Sequence, residues 1–351
     1  MVRERLAGAA RAALGGGRRL EAVERLAGGS KKGVYRLLMD DGTTAVAYRW
    51  ARSENHWPAA EGDDDLADPF SPGLGLDLFE AAHARLAALG VRVPALRFAE
   101  RAGERDGDGD SGSAAADLAI VEDVPGENLE RLLARDPHVA APVLARLGEA
   151  LGAMRGHRAP GYGKIAVVDG GGASHGPSCE AVVLDRALRD LAEAAARDPR
   201  IAGARDRFAD RLRNLAAAVR PRAEYTVVHG ELGPDHVLVD AAGRPVLIDV
   251  EGAMYFDAEW EHVFLRIRLD RADYHRLVAS GPSGPDGSDG SAGFNGSAGL
   301  DEDRLALYAL AQRLSLTAGP LRLLDGGFPD REAMAGIAEH NLRRALRLLD
   351  G

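Results

Sequence analysis

Three groups of residues in this chain have the types and spacing for chemistry on phosphate. His229-Gly230-Glu231-Leu232-Gly233-Pro234-Asp235-His236 sets an acid two residues after one histidine and a second histidine at the end of the same short run. Ile248-Asp249-Val250-Glu251 closes an apolar run with a further carboxylate. Upstream, Gly28-Gly29-Ser30-Lys31-Lys32-Gly33 is a glycine-rich turn, and Val46-Ala47-Tyr48-Arg49 lies on the extended run after it. Such a turn lets backbone N–H groups approach phosphate oxygens. A cation pins those oxygens, a strand-end carboxylate suits Mg²⁺, and a second acid takes the proton of an attacking hydroxyl. Phosphoryl transfer, which is mostly positioning and charge neutralisation, needs this set. Ala47 and Arg49 share one face of an alternating strand, so Ala47 is expected to make room for a nucleotide base while Arg49 reaches the phosphates. Lys31 and Lys32 also offer ammonium groups, but at a loop tip they read as solvated charges.

The elements that must position these groups are legible in part. An Asp41-Gly42 turn between β-rich runs predicts an antiparallel hairpin over residues 34–50. Leu76 to Leu89 carries Leu78, Phe79, Ala82, Leu86 and Leu89 on one helical face, stopped by Gly90. Residues 117–124 read as a short buried strand ending at Pro125-Gly126. Beyond it, helices are expected over 128–135, 139–156, 180–197 and 202–219, interrupted by short strands at 225–228, 237–239 and 245–249. Residues 102–116 and 281–299 are rich in Gly, Ser and Asp and read as flexible insertions.

Composition narrows the classes. The 351 residues are 46% hydrophobic with a net charge of −10, which excludes general disorder and supplies no basic field for nucleic acid. An acidic chain suits a cationic or metal-borne ligand. Cys179 is the single cysteine, so zinc ribbons and internal disulfides are excluded. The charged first twelve residues do not read as a secretory signal, no apolar run is long enough to span a bilayer, and a cytoplasmic location without membrane partners is expected.

On the runs Leu26 to Ser30, Val34-Tyr35-Arg36, Val46 to Arg49, Gly90 to Pro94, Val121 to Gly126, His229 to His236 and Ile248 to Glu251, the sequence resembles the aminoglycoside phosphotransferases and their small-molecule kinase relatives. The resemblance implies an α+β, protein kinase-like fold of two lobes. Residues 1–124 would form a small antiparallel-sheet lobe that binds nucleotide, and 125–351 a larger, mainly helical lobe. It further implies an ATP- and Mg²⁺-dependent transferase acting on a hydroxyl of a small molecule, aminoglycoside-like or another natural product. By position, Glu231 stands for the catalytic aspartate, His236 for a metal-binding asparagine and Asp249 for the Mg²⁺ aspartate. Arg49 replaces the phosphate-anchoring lysine with Glu80 as its partner, Gly28, Gly29 and Ser30 cover the phosphates, and Glu122 to Val124 offer backbone to adenine. The replacements at 49, 231 and 236 keep a second reading open, a degenerate kinase fold that only binds. A kinase acting on a Ser or Thr of a modified peptide, and a metal hydrolase built on His229 and His236, are further readings. Glu251, Asp257, Glu259 and Glu261 are a carboxylate cluster that would meet a cationic substrate. The oligomeric state is not legible.

Overall fold

The computed structural model describes residues 2–26, 30–58, 63–102, 116–279, 299–326 and 328–350. Residues 103–115 and 281–298 of the insertions expected over 102–116 and 281–299 lie outside these, as do Gly28 and Gly29. The chain opens with a helix, α1 (Val2–Leu14), and then lays down β1 (Leu20–Arg25), β2 (Gly33–Met39) and β3 (Thr44–Trp50). Helix α2 (Leu76–Ala88) precedes β4 (Leu96–Glu100) and β5 (Asp117–Glu122). These strands make one antiparallel sheet in the order β1-β2-β3-β5-β4. The expected hairpin joins β2 and β3, turned by Gly42 at φ 81°.

The two faces of the sheet serve different cores, and the period of two along β3 decides which residue goes where. Ala45 and Ala47 pack beneath α1 with Leu6, Ala10, Leu37 and Ile120. Val46 and Tyr48 join the main core with Leu76 and Phe79 of α2. Ala47 is therefore buried under α1 and makes no room for a base, which corrects the face assigned to it from sequence.

The remainder is mainly helical: α3 (Leu129–Arg135), α4 (Pro137–Gly156), α5 (Ile165–Asp169), α6 (Cys179–Ala195) and α7 (Pro199–Ala218). After the strand island come α8 (Ala258–Arg268), α9 (Arg271–Ala279), α10 (Glu302–Asp325) and α11 (Arg331–Asp350). Caps set several starts: Asn128 accepts from the Arg131 N–H, Asp136 from His138 and Val139, and Asp301 from Asp303 and Arg304. Among these helices, β6 (Arg158–Ala159), β8 (Tyr225–Val228), β11 (Met254–Phe256) and β7 (Gly163–Lys164) form a small sheet in that order. Strands β9 (Val237–Val239) and β10 (Pro245–Leu247) make a separate hairpin. At the passage from sheet to helices, Gly126 has φ 135°, and a Cβ there would come within 2.6 Å of the Val239 carbonyl, so Pro125-Gly126 admits no larger residue. No helix among the described residues is long and apolar enough to cross a membrane.

Candidate active site

The loop between β8 and β9 carries His229, Glu231 and His236, and Asp249 follows β10, so two adjacent hairpin ends bring the predicted carboxylates to one place. Gly230 sits at φ 94°, and a Cβ on it would lie 3.0 Å from the Gly252 carbonyl. Glycine is thus required between the histidine and the acid. Asp249 is left-handed, φ 62° and ψ 44°, the one non-glycine residue among those described with positive φ. Strain of this kind persists where the surroundings impose it, and it concentrates at functional positions.

The His229 imidazole Nε2 lies 2.9 Å from the Ile248 carbonyl, tying the loop to the residue before Asp249. Burial pushes its pKa down, so it stays neutral and braces backbone. His236 Nδ1 lies 2.8 Å from the Glu231 carbonyl, and its Nε2 is 3.8 Å from Asp249 Oδ2. Beneath the loop, the buried Glu261 carboxylate accepts N–H bonds from His229, Gly230 and Leu232, and Trp260 Nε1 donates to the Gly230 carbonyl at 3.0 Å. Helix α8 thereby fixes the loop from below. Glu251, Asp257, Glu259 and Glu261 are all buried, so the cluster expected to greet a cationic substrate is instead internal strutwork. Asp257 pairs with Arg304, and Glu259 with Arg222.

The largest departure from expectation concerns the cation. Lys32, read as a solvated loop lysine, is only 5% exposed. Its Nζ lies 2.7 Å from Asp249 Oδ1, pairs with Glu251 Oε1, and sits 4.7 Å from the Tyr48 ring centre. Burial pushes the ammonium pKa down, but Asp249 and Glu251 outweigh it and hold the group well above its ordinary value. Reciprocally, Lys32 first, then His236, keep the Asp249 carboxyl well below the usual carboxylate range. The Asp249 side chain is nevertheless 46% exposed, so it is paired on one side and open on the other.

Arg49 does not take this place. It shares the strand face of Ala47, is 6% exposed, and donates to Glu54 Oε1 at 3.1 Å, a carboxylate that also receives Arg25 and the Tyr35 hydroxyl. Glu80 does not meet Arg49 either; it pairs with Arg101. One helical step away, Phe79 turns inward and packs edge-on against Tyr48, with ring centres 5.6 Å apart. Residue 48, one position earlier than expected, is thus the β3 residue that faces Asp249 through Lys32.

Glu231 is exposed, and Lys31 is the main charge holding its carboxyl below the ordinary range, with His236 and Arg186 adding to it. Lys31 also lies 5.9 Å from the Trp57 ring centre. Ser30 accepts a 2.8 Å bond from Trp57 Nε1, which anchors the end of the glycine-rich turn. In the hinge, Arg92 clasps the Glu122 carboxylate at 2.6 and 2.7 Å, and Val124 is buried. Lys164, assigned no role from the sequence, is 1% exposed, donates to the Ser71 carbonyl at 2.7 Å, and is pushed by burial down to about 8. Its field and those of Lys31 and Glu231 act on one another. A compositional signal existed: among 44 basic residues only Lys31, Lys32 and Lys164 are lysine, and Lys31 and Lys32 both act on Asp249.

No group of three His, Cys, Asp or Glu side chains among the described residues converges to hold a metal, which removes the support for a hydrolase site on His229 and His236. The open face of the Asp249 carboxylate offers hard oxygen donors of the kind a divalent cation such as Mg²⁺ would take.

The fold has counterparts among known proteins. The structure is similar to a thermostable mutant of aminoglycoside phosphotransferase APH(4)-Ia in its apo form, with TM-score 0.58 and 17% identity over 93% of this chain and 95% of that one. It is similar to macrolide 2'-phosphotransferase MphH from Brachybacterium faecium, with TM-score 0.54, 19% identity, and coverage of 95% and 98%. A putative fructosamine-3-kinase from Thermobifida fusca matches with TM-score 0.52, 20% identity, and coverage of 97% and 98%. No individual curated protein matches at the level of sequence. These likenesses establish the α+β, protein kinase-like fold. The model of the phosphotransferase enzyme family matches residues 23–278, and the chain therefore belongs to that family.

Proposed function

We propose that the protein is an ATP-dependent phosphotransferase that moves the γ-phosphoryl group to a hydroxyl of a small molecule. The observation that carries this reading is the convergence of Lys32, Asp249 and Glu251 beside the Glu231–His236 loop. Lys32 supplies the phosphate anchor that the pattern sought at Arg49, and Glu251 supplies its counter-carboxylate in place of Glu80. Asp249, held ionised, is the residue that would hold Mg²⁺, and the ion would neutralise charge on the phosphates. Solved complexes of the APH(4)-Ia mutant with AMP-PNP and hygromycin B support nucleotide and a hydroxylated acceptor as the ligand classes.

In the transfer step the acceptor oxygen bonds to the γ-phosphorus, the bond to the bridging oxygen breaks, and ADP leaves. Glu231 receives the hydroxyl proton. Its depressed pKa makes it a weak base, which suits a loose transition state where proton transfer comes late. Burial of the carboxylate cluster removes the argument for a cationic acceptor, so the acceptor class is a hydroxylated small molecule.

The test is calorimetry of ATP with and without Mg²⁺, followed by turnover over a panel of hydroxylated acceptors. Glu231→Gln is expected to keep ATP affinity and lose roughly 10²–10⁴ in kcat. One observation favours the alternative of a nucleotide-binding module: Lys32 already neutralises Asp249. ATP binding with no turnover, unchanged in Glu231→Gln, would establish that reading instead.

A further inference from the structure

A second region of the molecule has the attributes of a ligand site and shares no residue with the one above. Between α8, α10 and α11 lies a cleft of about 310 Å³, at the lower end of small-molecule sites (roughly 300–1,000 Å³). Its floor is apolar, made by Val263, Ile267 and Leu305, and Leu348 stands at its edge, 40% exposed. Around it stand four arginines, Arg266, Arg313, Arg344 and Arg347, one or more from each helix, and no carboxylate lines it.

The lining of this cleft carries four guanidinium groups and no counter-charge. Elsewhere on α11, Arg343 pairs with Glu339, which also receives Arg200; on α10, Arg304 pairs with Asp257 and Arg322 with Glu193. None of the four cleft arginines has an ion pair among the described residues. Arg313 donates to the neutral Asn341 Oδ1 at 2.6 Å, and Arg266 stacks 5.1 Å from the Tyr274 ring centre. Burial pushes Arg313 down to about 10, and Arg344 and Arg347 push it further the same way. The neighbouring His340 is lowered by burial and by the same three guanidiniums. Arg344 and Arg347 stand three residues apart on one helix, where like charges repel. Arg266, Arg344 and Arg347 are exposed and Arg313 is half-buried, so their heads are open to a ligand, and an anion seated among them would relieve what repulsion remains.

We infer that this cleft binds a small anionic amphiphile, its carboxylate or phosphate head held by Arg313, Arg344 and Arg347 and its apolar body laid on Val263, Ile267 and Leu305. Guanidinium groups suit such heads through paired N–H donors. The volume limits the body to a short chain or a single ring system.

The test uses octanoate against three matched probes: 1-octanol, octyltrimethylammonium and inorganic phosphate. Octanoate is expected to raise the Tm of the full-length protein, octanol and the cation to leave it unchanged, and phosphate to bind more weakly than octanoate. Calorimetry should show octanoate affinity falling about tenfold or more in Arg344→Gln/Arg347→Gln, the loss expected from removing charge-assisted hydrogen bonds. Without ligand, that variant should melt no lower than wild type, because it removes repulsion. Leu348→Ser should weaken octanoate and leave phosphate unaffected. Equal stabilisation by octanol, phosphate binding as tight as octanoate, or unchanged octanoate affinity in the double arginine variant would each overturn the inference. Should the double variant melt lower, Arg347→Gln alone provides the same affinity readout.

Discussion

Replacing Lys32 with methionine separates the structural and ligand-binding consequences of the unusual anchor. In the resting protein Lys32 bridges Asp249 and Glu251. Asp249 has nearly half its side chain in solvent and can rehydrate, whereas Glu251 is 4% exposed and is left stranded. Breaking a buried pair by removing one partner costs about 3–5 kcal/mol, and with a single stranded carboxylate the lower end applies, about 3 kcal/mol. The double replacement Lys32→Met/Glu251→Gln removes both charges with little change of volume and should recover most of that loss. The pH dependence has a definite sign. Lys32 is held above its ordinary value, so its contribution is complete at neutral pH and is lost only at strongly alkaline pH; Asp249 is held below, so its contribution is lost only in acid. The difference between wild type and Lys32→Met should therefore be flat from about pH 6 to 9 in urea unfolding. ATP affinity, measured by calorimetry, should fall in both variants, because repairing stability does not restore the ammonium. Arg49→Met should lose stability through Glu54 yet keep its ATP affinity. A Lys32→Met protein as stable as wild type, or nucleotide binding lost in Arg49→Met and retained in Lys32→Met, would refute the reasoning.

Further outcomes can be stated from the same geometry. Asp249→Asn keeps the left-handed backbone but removes a counter-charge of the buried Lys32, so it should destabilise by about 1–3 kcal/mol in urea and lose Mg²⁺-dependent ATP binding; Asp249→Ala should cost about 1 kcal/mol more. Lys164 is lowered to about 8, so the folded protein releases its proton before the unfolded chain does, and stability gained from this group rises between about pH 8 and 10.4. Relative to Lys164→Met, wild type should gain about 3 kcal/mol across that interval in urea titrations, and parallel curves would show that the amine is not buried. Glu261→Ala leaves three buried N–H groups of the catalytic loop without an acceptor and should destabilise by about 3 kcal/mol, with turnover reduced more than ATP affinity.

Local patterns in the chain were sufficient for much of the architecture. The Asp41-Gly42 hairpin, the apolar stripe of α2, the runs of β8 to β10 and the helices near 128–218 each follow from a period or a turn that a single segment contains. Strands β6, β7 and β11 carry two or three residues each, too few to show a period, and they pair with segments distant in the chain. The loop from His229 to His236 and the carboxylate at 249 were legible because their spacing is local. The choice of cation was not. Val46-Ala47-Tyr48-Arg49 reads equally well with either parity, and a slip of one residue exchanges the two faces of a strand. Only the packing of α1 against Ala45 and Ala47 decides that Tyr48, with Lys32 above it, turns toward Asp249 while Arg49 turns to Glu54. Lys32 and Asp249 lie 217 residues apart in the chain, and no local rule connects them. The sequence by itself determined which chemical groups were present and which turns would present them; the tertiary structure decided which of them share a low-dielectric space, because burial and Coulomb attraction depend on distance through space.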